Sequence, residues 1–117
     1  MSIEAGLFNL LKTIPAIGTR IYPSVMPQNP IYPNVVYQRI SSFDTGTMDG
    51  TESIDMGRFQ IKIYSPNFAD TVSVLSSIKS VMSGKSNKLM QMMDYESDTK
   101  LHVQIIDFQL SDDLVNG

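Results

Sequence analysis

Hydrophobic and polar residues alternate between Gly57 and Tyr64, which predicts a β-strand with one buried face. Phe59, Ile61 and Ile63 fall on one side of the extended chain. The other side carries Arg58, Gln60, Lys62 and Tyr64. Because the apolar side needs a partner layer, we expect the rest of the chain to pair with this strand or to cover it.

Two amphipathic helices are predicted by apolar residues that recur at helical spacing. The first begins after Ser2, which is a good cap, and ends at Pro15. Its apolar positions are Ile3, Leu7, Leu10, Leu11 and Ile14. The second runs from Pro66 to Met82, and Gly84 is placed to cap it. Its apolar stripe consists of Phe68, Val72, Leu75, Ile78 and Met82.

Four further segments have the residue types of strands. They are a short piece at Arg20–Tyr22 within a proline-punctuated connection, then Asn34–Ile40, Leu89–Tyr95 and Leu101–Leu110. In the last segment the apolar residues change phase halfway. That change predicts either a bulge or a strand that is covered on both faces.

This order of elements predicts an α+β fold. Strands joined by hairpins favour an antiparallel sheet of about four main strands, with the two amphipathic helices packed on one face. The chain of 117 residues has the length of one domain, so we expect residues 1–117 to share a single core.

The segment Ser41–Met56 predicts a long polar hairpin loop. Its acidic residues are Asp44, Asp49, Glu52 and Asp55, with Gly46 and Gly50 among threonines and serines. Long loops without secondary structure are often functional or disordered. Two interpretations stay open: a solvated flexible loop, and a loop that becomes ordered on a partner.

Composition excludes several functional classes. The chain has no cysteine and a single histidine, so disulfides and thiolate chemistry are excluded. Its net charge of -3 gives no broad attraction to nucleic acid or to anionic lipid. No apolar run approaches the ~20 residues of a membrane span, and the N-terminus lacks the pattern of a signal peptide. We therefore expect a protein of a cytosol-like compartment.

One triplet resembles a phosphate-binding loop but has the wrong context. Gly84-Lys85-Ser86 matches the end of such a loop, yet Lys79 stands where its first glycine belongs. The triplet also closes a predicted helix, whereas a phosphate loop opens one. His102 has no serine or carboxylate tied to it by a motif, which favours a solvent-facing or interface residue. No cofactor and no catalytic residue are predicted.

A second motif has the alternation of a calcium loop. Asp94, Glu96 and Asp98 are spaced as calcium ligands are, but Thr99 and Ile105 occupy the sixth and twelfth positions, where glycine and glutamate belong. A charged hairpin tip accounts for the segment better. No metal site is predicted.

Aromatic residues are candidate contacts to other subunits or partners. They lie in the proline-rich connection and on strand faces that the core does not obviously use: Tyr22, Tyr32, Tyr37, Phe43 and Tyr64. Exposed rings suit protein interfaces, since a flat ring buries much area at low entropic cost. The alternative is that they pack over the open edge of the sheet within one monomer.

Three segments together resemble the tail-completion and tail-terminator proteins of long-tailed bacteriophages. They are Arg20-Ile21-Tyr22-Pro23, the stretch Pro33–Ser41 that reads PNVVYQRIS, and the strand Gly57–Tyr64 that reads GRFQIKIY. A short helix precedes these segments in that family, and a polar loop separates the second from the third. The resemblance covers about Ile3 to Met82.

The resemblance implies a non-enzymatic structural protein of the virion, assembled in the cytoplasm of the bacterial host. Such proteins form a six-fold ring at the head-proximal end of the tail, where they stop growth of the tube and join it to the head. The implied partners are further copies of the chain, the tail tube protein and head-tail connector proteins, without specific nucleic acid or a membrane. A closed ring needs two different complementary patches on each subunit.

The acidic loop suits the lumen of such a ring, because carboxylates repel the phosphates of DNA. We expect Ser41–Met56 to face the lumen or the next ring and to become ordered only there. Two alternatives stay open: a head-side connector or neck protein, and a small cytoplasmic ligand-binding domain.

Overall fold

The computed structural model describes residues 3–44, 55–84 and 86–111. Its elements follow in the order that the sequence predicts, and the fold is α+β. They are α1 (Ile3–Leu11), β1 (Ile21–Pro23), β2 (Asn34–Asp44), β3 (Asp55–Ser65), α2 (Phe68–Met82), β4 (Ser86–Glu96) and β5 (Leu101–Ser111). The described strands form one five-stranded sheet in the order β1-β2-β3-β5-β4.

The sheet is mixed, which corrects the prediction of a purely antiparallel one. β2, β3, β5 and β4 pair antiparallel, whereas β1 pairs parallel with β2 and places Ile21 opposite Val35. A parallel pair needs a crossover that returns the chain to the same end of the sheet. The proline-rich connection, residues 24–33, is that crossover, so β1 is more than a piece of an ordered loop.

The main hydrophobic core lies between the helices and one face of the sheet. Phe59, Ile61 and Ile63 of β3 are fully buried there, as their alternation predicts. Both helices supply side chains to this same cluster: Ile3, Leu7 and Leu11 from α1, and Val74, Leu75, Ile78 and Met82 from α2. The two helices therefore contribute to one core on one face of the sheet.

A second cluster lies on the opposite face, where the sequence predicted a single core. Its buried members are Val36, Tyr64, Leu101 and Val103, and Tyr22, Met26, Tyr32 and Ile105 pack against them. The proline-rich crossover thus covers this face. β5 is covered on both sides with a continuous register against β3, which confirms the second of the two predicted alternatives for this strand.

Both helices are shorter than predicted. α1 ends at Leu11, and Ile14 and Ile17 follow in hydrogen-bonded turns where they remain buried. The predicted cap Ser2 lies outside the described residues. α2 begins after Asn67, whose side-chain oxygen accepts a hydrogen bond from the Ala69 N–H at 2.9 Å. Its C-cap is Ser83, and Gly84 follows with a φ of 77°.

The buried face of α2 differs from the predicted stripe. Leu75, Ile78 and Met82 are buried as predicted, but Phe68 and Val72 are exposed. Thr71 and Val74 are buried instead. Thr71 turns inward because its hydroxyl donates to the Phe68 carbonyl at 2.7 Å and accepts from Gln104 Nε2 of β5 at 3.4 Å.

The strands around the predicted polar loop are longer than expected. β2 continues to Asp44 and β3 begins at Asp55, which stand opposite each other in the register. Much of the predicted loop, including Asp49 and Glu52, lies outside the described residues. Ile40 and Leu89 fall at register shifts of β2 and β4, so each of these strands carries a bulge or irregularity.

Candidate assembly surfaces

Most of the exposed large hydrophobic side chains of the described residues lie on the outermost strand β4 or in the crossover that follows the other edge strand, β1. Val25 and Ile31 lie in the crossover that follows β1, and we call them the β1-side patch. The β4-side patch flanks the free edge of β4: Met90 and Met92 lie on one face of the strand, and Met93 and Tyr95 lie on the other. Phe68 and Val72 of α2 are also exposed, whereas Ile40 lies at the irregularity of β2, outside both patches.

The β1-side patch is held by hydrogen bonds of its backbone. Val25 is 74% exposed and Ile31 is 66% exposed. The N–H of Ser24 donates to the Tyr37 carbonyl at 2.8 Å, and Asn34 Nδ2 donates to the Ile31 carbonyl at 3.1 Å. Both exposed side chains are therefore carried on backbone that is tied to β2 or to the residue that begins it.

The β4-side patch lies on the outermost strand of the sheet, which pairs only with β5 among the described strands. Met93 is 66% exposed. The ring of Tyr95 lies 4.8 Å from that of His102, which in turn lies 5.5 Å from the ring of Phe68. His102 is half-buried, so this chain of rings joins β4 to the exposed start of α2.

The aromatic residues predicted as contacts are more buried than an exposed interface requires. Tyr64 is buried, Tyr22 and Tyr32 pack against the second cluster, and Tyr37 packs against the main core. This packing matches the predicted alternative, in which they cover the sheet within one monomer. Phe43 stands opposite Met56 in the register, and its side chain lies outside the described part. A contact role for these residues stays a prediction.

Burial also changes the acidity of two of these tyrosines. The pKa of Tyr64 is raised above its usual value of 10.0, mainly by burial and then by the charge of Glu96. The pKa of Tyr37 is raised by burial and then by the charge of Glu4. Both phenols therefore stay neutral over the ordinary pH range, which suits packing positions better than acid-base chemistry.

Arg39 connects α1 to the sheet beside Gly57. Its Nη1 lies 2.6 Å from the Glu4 carboxylate, and its guanidinium lies 5.4 Å from the centre of the Phe59 ring. A Cβ added at Gly57 would lie 3.0 Å from both Arg39 Nε and the Phe59 ring. The close approach of the guanidinium to β3 therefore accounts for glycine at this position.

One groove of the described residues carries hydroxyl and apolar side chains without a titratable group. This groove of about 350 Å³ between the end of α1 and α2 is lined by Thr13, Ile14, Pro15, Ser76, Ser77, Ser80 and Val81. Among the described residues there is no cluster of three or more side chains that would hold a metal ion. No helix within the described ranges is long and apolar enough to cross a membrane.

The structure places the two motifs that were set aside at the end of α2 and around the β4–β5 turn, although the predicted hairpin tip is shorter because β4 extends to Glu96. Gly84 follows the end of α2, and Lys85 lies outside the described residues, so the triplet closes a helix. Asp94 and Glu96 lie on β4, and Asp98 lies in the turn before β5. The Thr99 hydroxyl donates to Glu96 Oε1 at 3.1 Å across this charged turn.

A packed α+β domain whose exposed apolar groups lie at both sheet edges has the features of a protein that assembles with other proteins. The fold is similar to that of a chain in a structure titled "Virion of native gene transfer agent (GTA) particle". The TM-score is 0.61 at 12% sequence identity, with 94% of this chain and 93% of that chain covered. Comparison with curated proteins gives no match.

The family model described as "Tail completion protein gp17" matches residues 5–110. The chain therefore belongs to this family, as the resemblance in its sequence predicted. It is a structural virion protein of the bacteriophage tail-completion type.

Proposed function

We propose that the protein forms a six-subunit ring at the head-proximal end of the tail, where it ends growth of the tube and joins it to the head. Membership of the tail completion family is the observation that carries this proposal. The tail tube protein and the head-tail connector proteins are its partners, and its role is non-enzymatic. It adds to the tail while the virion assembles in the host cytoplasm.

Two properties of the surface support a ring. A closed ring uses heterologous contacts, so every subunit must carry two different patches. The described residues carry exposed apolar groups at both edges of the sheet, and the two groups differ in composition. The groove between α1 and α2, by contrast, offers hydroxyl and apolar groups without a titratable side chain. Assembly is therefore better supported than binding of a small ligand.

The acidic segment between β2 and β3 faces the lumen of the proposed ring or the next ring. Asp44 and Asp55 occupy opposite register positions where the described pairing of these strands ends. Carboxylates that line a lumen repel DNA and discourage it from sticking during passage.

The experiment that tests the proposal is electron microscopy of particles made by a phage whose copy of this gene is disrupted. Filled heads beside overlong, unattached tails are the expected result, because an uncapped tube keeps growing. Tails of normal length lying free beside filled heads would assign the protein to head-tail joining or to the neck alone. Infectious particles of ordinary appearance would contradict the assembly role. Supplying the intact gene in trans is the control.

A further inference from the structure

We propose that the β4-side patch of one subunit docks on the β1-side patch of the next copy of the chain. This inference rests on the proposed ring and specifies its contact surface. Each patch is then covered by the other patch of a neighbouring subunit. Because the two patches lie at opposite edges, the same contact repeats from subunit to subunit.

The distribution of apolar surface is the first observation behind this contact. Monomeric proteins rarely expose large continuous apolar patches, and such patches mark interaction sites. In the described residues, Val25, Ile31 and Met93 are the three most exposed large hydrophobic side chains, and Met90 and Met92 of β4 are exposed as well. Unbranched methionine side chains adapt to the shape of a partner, whereas branched valine and isoleucine are stiff. The two patches are therefore complementary in kind.

Charge and rigidity are the second observation. No charged residue occurs between Arg20 and Arg39, and none occurs between Lys88 and Asp94, so the centres of both patches are uncharged. Interface cores are depleted of charged residues in the same way. The hydrogen bonds of Ser24 and Asn34 hold the β1-side patch in place before any partner arrives. Such preorganisation lowers the entropic cost of binding.

The size of the edge is sufficient for a stable contact. β4 has 11 residues, so its free edge is roughly 35 Å long. The molecule measures 53 Å by 25 Å by 25 Å. A contact as long as β4 and as wide as the 25 Å side of the molecule would have roughly the 800 Å² per partner of a standard interface. A symmetric pairing of β4 with β4 would use that strip once and leave Val25 and Ile31 in water.

Disulfide trapping tests the contact directly, because the chain contains no cysteine. Single variants with Val25→Cys or Ile31→Cys are mixed with variants carrying Met90→Cys, Met92→Cys or Met93→Cys, oxidised mildly, and analysed by intact mass. The control replaces the β4 variant with Ile40→Cys, which is an exposed hydrophobic position outside both patches. Since docking raises the local thiol concentration, at least one mixed pair should cross-link about tenfold more than the control.

A double variant that carries the best pair on one chain extends the test. It should give a ladder of disulfide-linked species that ends at a closed ring on a non-reducing gel. Mixed pairs no more abundant than the Ile40→Cys control, or disulfides mainly between two β4 cysteines, would overturn the inference. If either occurs while the disrupted phage still makes overlong tails, only the contact surface is wrong. Ordinary infectious particles from that phage would instead overturn the proposed ring itself.

Discussion

Asp107 is the one buried acidic side chain of the described residues, and Arg58 is the basic residue that pairs with it. Its side chain is 2% exposed, and its Oδ2 lies 2.8 Å from Nη2 of Arg58, whose side chain is 43% exposed. Among the described residues, Oδ1 of this carboxylate and Nε of Arg58 have no hydrogen-bond partner. Asp107 therefore relies on Arg58 for compensation of its buried charge.

Replacing Arg58 tests this dependence. Arg58→Met should lower the free energy of unfolding by about 2 kcal/mol, because it leaves a buried carboxylate without its partner. The loss should not be larger, because the Arg58 side chain is partly exposed and solvent screens its charge. Adding Asp107→Asn to that variant should recover part of the loss, since a neutral amide is cheaper to bury than a charge. Urea unfolding of the parent protein, of Arg58→Met, of Asp107→Asn and of the double variant gives the coupling energy. Strictly additive losses would contradict the pairing.

Ionisation of Tyr64 should lower the free energy of unfolding at alkaline pH. Its pKa is raised in the folded state by burial, so above pH 10 the unfolded chain releases this proton before the folded one. The folded state then binds more protons than the unfolded state, and stability falls as pH rises through the folded pKa. Below that window the contribution of Tyr64 is fully present. Tyr64→Phe should show a shallower decline in urea midpoint between pH 9 and about pH 11. Equal slopes would contradict this assignment.

At the scale of elements, α2 is fixed on β5 by a polar contact inside the core. Thr71 and Gln104 are both buried and share one hydrogen bond. Thr71→Val should destabilise the fold by about 1–2 kcal/mol, because it leaves the Gln104 amide without this partner. Ser77→Ala is the matched control, since its hydroxyl bonds only the Ser73 carbonyl on the exposed side of the helix and its loss should be small.

Thermal and urea unfolding measure both variants of α2. Combining Thr71→Val with Gln104→Leu should cost less than the sum of the two single changes, because no buried polar group is then left unpaired. If Thr71→Val and Ser77→Ala had equal effects, the contact with Gln104 would contribute nothing.

The strands and helices show which features of the fold the sequence could predict and which it could not. Alternation in β3 predicted its buried face because Phe59, Ile61 and Ile63 all meet one layer. The predicted apolar stripe of α2 was wrong at Phe68 and Val72, which are exposed. Hydrophobicity alone does not indicate that a threonine will be buried instead, where its hydroxyl accepts a hydrogen bond from a glutamine of β5. The sequence also did not predict that β1 pairs parallel with β2, because parallel pairing depends on the path of the crossover.

The sequence shows less about where the chain contacts its partners than about the fold, and the contact role of the predicted aromatic residues stays a prediction. The tyrosines of the crossover and of β3 were chosen for their aromatic character, but the second cluster absorbs most of them. Val25, Ile31 and the methionines of β4, which form the proposed contact, could not be singled out because a short apolar run does not show which strand lies at an edge of the sheet. The absence of charge around them was the one signal in the sequence that pointed to these segments.

At the scale of the whole molecule, each face of the sheet carries a buried cluster, whereas the described side chains of β4 from Met90 to Glu96 are exposed. Helices pack on one face, the proline-rich crossover packs on the other, and most of the exposed large apolar groups lie on β4 or in the crossover. An exposed edge strand is a hazard for a monomer, because it invites pairing with other chains. In the proposed ring, the same edge would instead be covered by the next subunit.

This arrangement predicts that assembly and monomer stability can be separated by substitution. Val25→Lys and Met93→Lys each place a charge in a patch that is exposed in the monomer, so each should change the free energy of unfolding by less than about 0.5 kcal/mol. Each should nevertheless fail to restore infectious particles to a phage in which the gene is disrupted, because a buried unpaired charge opposes docking. Ile40→Lys adds the same charge outside both patches and should restore them. Plaque counts and thermal melts report the two properties, and full rescue by both patch variants would show that ring closure uses other surfaces.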